Sequence, residues 1–101
     1  MTDSDDSSGD PEAIPELVAD LHGHLEATAE LPVEARASQW LGEAEAVARD
    51  ATGPGVPREA VEKRVGQVRM LLSNVDGTGS EAADEHVEAA RELVDEIESR
   101  L

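Results

Sequence analysis

An all-α fold is what this sequence predicts: a small antiparallel up-down-up-down four-helix bundle behind a disordered acidic N-terminal tail. Three observations carry that expectation. Apolar residues recur every three or four positions from Ile14 to Leu101, proline or glycine interrupts the period at three places, and no stretch alternates apolar with polar residues as a half-buried strand would. The interruptions leave four segments joined by short connections, and short connections make successive helices antiparallel neighbours.

Residues 1–10 contain only Met, Thr, Ser, Asp and Gly, with nothing to bury, and are expected to form the disordered tail; residues 11–101 are expected to form a single four-helix domain. In the first helix Ile14, Leu17, Val18, Leu21 and Leu25 fall on one stripe at about 100° per residue. Pro15 fits its first turn, and Pro32 ends it near Glu30 by driving Leu31 out of the helical region. Pro32 also suits the first position of a second helix, whose stripe of Val33, Ala37, Leu41, Ala44, Val47, Ala48 and Ala51 has Trp40 on its edge.

Gly53-Pro54-Gly55 breaks the chain, and Pro57 restarts it into a third helix. There Val61, Val65, Val68, Leu72 and Val75 alternate spacings of four and three, a heptad seam. A second break at Asp76-Gly77-Thr78-Gly79 precedes the fourth helix, which a capping box from Thr78 to Glu81 is expected to open. Ala83, Val87, Ala90, Val94, Ile97 and Leu101 make its stripe.

The charge pattern bears on surroundings more than on chemistry. Twenty-four acidic residues stand against seven arginines and one lysine, Lys63, for a formal net charge of −16 in 101 residues. Such a surface repels itself over a Debye length of about 10 Å at 0.1 M salt, but over only about 3 Å at 1 M. Carboxylates hold water and cations in strong salt, whereas long lysine stems expose methylenes, so the balance points to the salt-rich cytoplasm of a halophile. No cysteine is present, which removes disulfides, thiol nucleophiles and thiolate metal sites. No apolar run approaches the roughly 20 residues of a bilayer span, and the first residues are acidic rather than basic, so a soluble cytoplasmic protein with no membrane partner is expected.

Nucleic acid is disfavoured on physical grounds, because phosphate binding draws on counterion release, which fades at molar salt, and the net charge repels besides. The bases are concentrated locally. Residues 1–31 carry nine acids and no Lys or Arg, whereas residues 53–75 carry two acids against Arg58, Lys63, Arg64 and Arg69. The third helix thus reads as a cationic strut whose partners should be Glu85, Glu88, Glu92 and Asp95 of the fourth.

The residues that stand out are His22, His24, His86 and the single aromatic ring, Trp40. His22 and His24 lie about 200° apart on a helical wheel, so they do not share one ligand. Each has a carboxylate four residues away on its own face, Glu26 for His22 and Asp20 for His24. Counted from one end of two antiparallel helices, His24 and His86 fall at the same height, with Leu25, Trp40, Val68 and Val87 in the same layer. If they meet, Asp20, His24 and His86 offer zinc or nickel an N/N/O face. The helical neighbours of His86 are Ala82, Ala83, Ala89 and Ala90, so the Glu-x-x-His pattern of bundle di-metal sites is absent, and histidines bonded to carboxylates are the plainer expectation.

Other motifs resolve into structure. Gly77-Thr78-Gly79-Ser80-Glu81-Ala82 has the spacing of a nucleotide-binding turn, but a helix precedes it where a strand is required. No serine lies in a Gly-x-Ser-x-Gly elbow, and carboxylate pairs are too common here to mark an acid and a base. No enzymatic activity, catalytic residue or cofactor is therefore expected. Gly66 and Met70 share the back of the third helix, away from its seam, a surface compatible with helix docking. The expected function is a non-enzymatic protein-interaction or structural module, its partner an unknown protein or a second copy of the chain. The alternative is a metal- or small-ligand-binding bundle using His24 and His86.

The stretches Leu21-His22-Gly23-His24-Leu25-Glu26-Ala27-Thr28-Ala29-Glu30-Leu31-Pro32, Trp40-Leu41-Gly42-Glu43-Ala44-Glu45-Ala46-Val47-Ala48 and Glu81-Ala82-Ala83-Asp84-Glu85-His86-Val87-Glu88-Ala89-Ala90-Arg91-Glu92-Leu93 resemble a family of small uncharacterised haloarchaeal acidic proteins. The resemblance covers most of the chain after the tail. It implies an archaeal halophile and brings no activity and no functional residue.

Overall fold

The helical periods become four α-helices in the computed structural model of the chain, which describes residues 13–53 and 55–101. They are α1 (Ile14–Thr28), α2 (Ala35–Asp50), α3 (Arg58–Leu72) and α4 (Glu81–Arg100), and the described residues contain no strand. The expected tail, residues 1–10, lies outside the described residues. α1 packs against α2 and α4, α3 packs against the same two, and the diagonal pairs touch little.

The core follows the predicted stripes. Val18, Leu21 and Leu25 of α1, Val65, Val68 and Leu72 of α3, and Val87, Val94 and Ile97 of α4 are buried, while α2 supplies Leu41 among Ala37, Ala44 and Ala48. Each large aliphatic side chain contributes about 1.5–3 kcal/mol on burial. With alanine on most of its inner face, α2 has the least apolar area to hold it, so polar links along its edges matter more.

Both ends of the molecule are tied by hydrogen bonds. At one end Arg58, the first residue of α3, donates to the carbonyls of Arg100 and Leu101 at the finish of α4. At the other, the guanidinium of Arg91 donates to the carbonyls of Leu72 and Val75 at 2.9 and 2.8 Å. That places a cation on the C-terminal end of α3, where the unpaired carbonyls of a helix concentrate partial negative charge. Val75 stays buried although the helix stops at Leu72.

Three boundaries differ from the sequence expectation, each for a local reason. Helix α1 stops at Thr28, short of Glu30, where the buried Thr28 hydroxyl donates back to the carbonyl of Leu25 at 2.6 Å. Helix α2 begins at Ala35 rather than at Pro32, because Glu34 is held extended (φ −60°, ψ 147°) with its N–H donating to the carbonyl of Thr78 at 2.8 Å. The capping residue of α4 is Ser80, whose hydroxyl accepts from the N–H of Ala83 at 3.3 Å, not Thr78 with Glu81.

Thr78 is instead buried. Its hydroxyl accepts from the N–H of Ser80 at 3.1 Å and lies 2.8 Å from the Asp84 carboxylate and 2.9 Å from the Ser80 carbonyl. A hydroxyl has one proton, and the charged carboxylate is the stronger acceptor. The same carboxylate oxygen accepts from the N–H of Thr78 at 3.0 Å. Gly79, at φ +82°, completes the turn, and a Cβ there would stand 3.1 Å from Cγ of Glu34. Glu34, Thr78 and Gly79 thereby set where α4 begins relative to α2.

The basic third helix finds α4 only in part as expected. Arg69 pairs with Asp95 and also with Glu98 at 2.6 Å, whereas Glu88 pairs with Arg91 of its own helix at 3.3 Å. Arg69 reaches acids toward the end of α4, and Arg58 reaches main-chain oxygens rather than an acidic side chain.

Candidate functional site

The apolar stripe of α1 centres on Leu21 and Leu25, both buried, so His22 and His24 leave the helix on opposite flanks of that stripe. One flank faces α4. There Nδ1 of His24 lies 2.9 Å from Nδ1 of His86, with the ring centroids 5.2 Å apart and the planes inclined at 47°. The centroid separation exceeds the nitrogen separation by 2.3 Å, which is about two imidazole ring radii laid end to end, so the nitrogens face each other head on in the linear arrangement hydrogen bonds prefer.

That contact holds one proton. A neutral imidazole donates from one ring nitrogen and accepts at the other, so one Nδ1 carries the hydrogen and its partner presents a lone pair. Two protonated rings would turn two N–H groups toward each other and lose the bond.

The other flank faces α2 and uses different chemistry. Nε2 of His22 lies 2.7 Å from Oε2 of Glu45, and the guanidinium of Arg49 donates to the same oxygen at 2.6 Å. The Glu45 side chain is 15% exposed, which makes its charge costly without partners. Burial pushes its carboxyl up, but the hydrogen bonds from His22 and then Arg49, with their charges, outweigh that and hold it below the ordinary carboxylate range.

The expected local pairs are therefore replaced by pairs between helices. His22 bonds Glu45 rather than Glu26, and His24 bonds His86 rather than Asp20. Asp20 is exposed, and no group of three or more His, Cys, Asp or Glu arranged to hold a metal occurs among the described residues, so the Asp20, His24, His86 face does not assemble as a three-donor set. Trp40 does not join the histidines. It lines a recess of about 450 Å³ between α2 and the α3–α4 connection, with Glu34, Arg36, Asn74 and Asp76.

Met70 stands 60% exposed on α3, the one exposed large hydrophobic among the described residues, and Gly66, one turn before it, has open space around its α-carbon. Glu45 and Arg91 were not singled out by the sequence. Each is an acid or a base with an ordinary local neighbour, and its importance comes from what a second helix places beside it.

No helix among the described residues is long and apolar enough to cross a membrane. No curated protein and no solved structure matches the chain. Residues 17–101 match the model of a domain of unknown function, DUF8152, and this span takes in both histidine contacts and most of the four helices. On that match, the chain belongs to the DUF8152 family.

Proposed function

We propose that this protein is a non-enzymatic protein-interaction or structural module, an antiparallel up-down-up-down bundle working in the cytoplasm of a salt-adapted archaeon. The observation that supports it best is the exposed face of α3, where Met70 is turned outward beside Gly66 while the other large hydrophobic side chains described are buried or half-buried. A methionine beside a glycine lets another helix approach closely and adapt to it. Its partner is another protein or a second copy of the chain, and not nucleic acid, since a charge of −16 repels phosphate.

Sedimentation and pull-down in KCl above about 1 M, where surface repulsion is screened, test this. Association that Met70→Glu abolishes is the expected outcome. A wild-type chain that stays monomeric at high concentration, and retains the same proteins as Met70→Glu, contradicts it.

A second reading takes the His24–His86 pair as a metal or small-ligand site, and the 2.9 Å approach of the two Nδ1 atoms favours it. Binding heat that disappears in His24→Ala and His86→Ala is expected, and equal heat in the variants contradicts it.

A further inference from the structure

Two imidazole nitrogens that face each other head on restrict what can sit between them. Zinc in a tetrahedral site draws its donors together at an angle, and nickel in a square-planar one, although two of its donors can lie opposite each other, requires two further ligands in the plane. Tetrahedral zinc would have the two ring axes converge to one side; here they lie nearly along one line. Further donors are also missing. No group of three His, Cys, Asp or Glu forms among the described residues, alanine occupies the positions three and four residues either side of His86, and the hydroxyl of Thr28, one turn after His24, is engaged by the carbonyl of Leu25.

What fits a straight line between two nitrogens with no third or fourth donor beside them among the described residues is a proton, or a closed-shell monovalent ion that accepts two ligands at opposite poles. From these observations we infer that His24 and His86 form a two-coordinate site for monovalent copper or silver. The inference rests on the reading of the pair as a ligand site.

The substitution balances simply. In the neutral pair the hydrogen on one Nδ1 moves to Nε2 of the same ring, both Nδ1 lone pairs then face the ion, and no proton is released. With metal–nitrogen distances of about 2 Å, the nitrogens must part from 2.9 Å to about 4 Å. Both rings are partly exposed, so small side-chain rotations supply this without moving the helices. Asp20, one turn before His24, and the strongly acidic surface favour a cation at this edge.

The test is a titration of the full chain with Cu(I), anaerobic and under reductant, against a chromophoric Cu(I) chelator in a chloride-free sulfate medium. Parallel titrations use Zn(II) and Ni(II), and circular dichroism checks each variant's fold. One equivalent of Cu(I) is expected, weakened roughly 100-fold or more by His24→Ala or His86→Ala and unchanged by His22→Ala. X-ray absorption of the loaded wild-type chain should show two nitrogen neighbours and no sulfur, a readout that holds even if a variant unfolds.

Cu(I) binding that is equal in the histidine variants, or a sulfur neighbour in the absorption spectrum, overturns the inference. Histidine-dependent binding of Zn(II) or Ni(II) without Cu(I) overturns the two-coordinate assignment and leaves the ligand-site reading standing. Binding of none of the three ions overturns both.

Discussion

His22 and His24 are two residues apart on one helix, yet they fasten that helix to its two neighbours by unlike means. Toward α2, His22 meets the Glu45 carboxylate, which Arg49 also holds, so this clasp depends on the carboxylate's charge. Toward α4, His24 meets another histidine, and the clasp is a single ring-to-ring hydrogen bond with no carboxylate in it. The difference shows that a histidine's role is set by the face across from it and not by its own helix. It also matches the packing: α2 brings a largely alanine face and gains a hydrogen bond to a charged carboxylate, whereas α4 brings Val87, Val94 and Ile97 and has less need of one.

The strongest way to break both clasps together is Leu21→Ala. Leu21 is fully buried between the two flanks, and its loss should cost about 2–5 kcal/mol, read as a lower denaturant midpoint at constant slope. A midpoint unchanged within error would mean the histidines do not flank a shared core.

A smaller change should separate the clasps. Gly79→Ala forces a side chain into the left-handed region and toward Glu34, and is expected to cost about 1–2 kcal/mol. Because Gly79 sets the start of α4, the ring signals of His86 should shift while those of His22 stay in place. Equal shifts in both would contradict the separation.

How much of this could be read from the sequence divides along the same line. The four helices follow from periodicity, and the equal height of His24 and His86 follows from counting residues along two helices expected to be antiparallel; that the rings meet depends on which flank each helix turns to the other, which counting does not give. The Glu45 partner of His22 was not legible, because a wheel compares a helix with itself and returned Glu26. The late start of α2 was hidden for a related reason. Pro32 is a sound local start signal, but the N–H of Glu34 is taken by Thr78, more than forty residues away in the chain. Thr78 and Ser80 are both good capping residues, and only burial shows which is the cap.

Acid should loosen the carboxylate clasp selectively. The folded-state carboxyl of Glu45 lies below its ordinary value of 4.5, so its contribution is fully present above that pH and is lost as pH falls through the lower folded value. Wild type should therefore lose up to about 1 kcal/mol more than Glu45→Gln on acidification below that value, read from denaturant midpoints across pH. Parallel curves would contradict this.

The smallest effect sharpens the comparison furthest. Double-mutant cycles should give coupling of about 0.5–1 kcal/mol for each of His22/Glu45 and His24/His86. Raising KCl from about 0.1 M to above 1 M should shrink the first by screening and leave the second, which has no carboxylate to screen, nearly unchanged. Equal salt dependence would show that the two clasps are of one kind.

The most direct measurement is nitrogen NMR of the imidazole rings at neutral pH. One Nδ1 of the His24–His86 pair should be protonated and the other bare, with a scalar coupling between the two transmitted through the hydrogen bond. Two bare or two protonated Nδ1 atoms, with no coupling between the rings, would contradict the head-on pair.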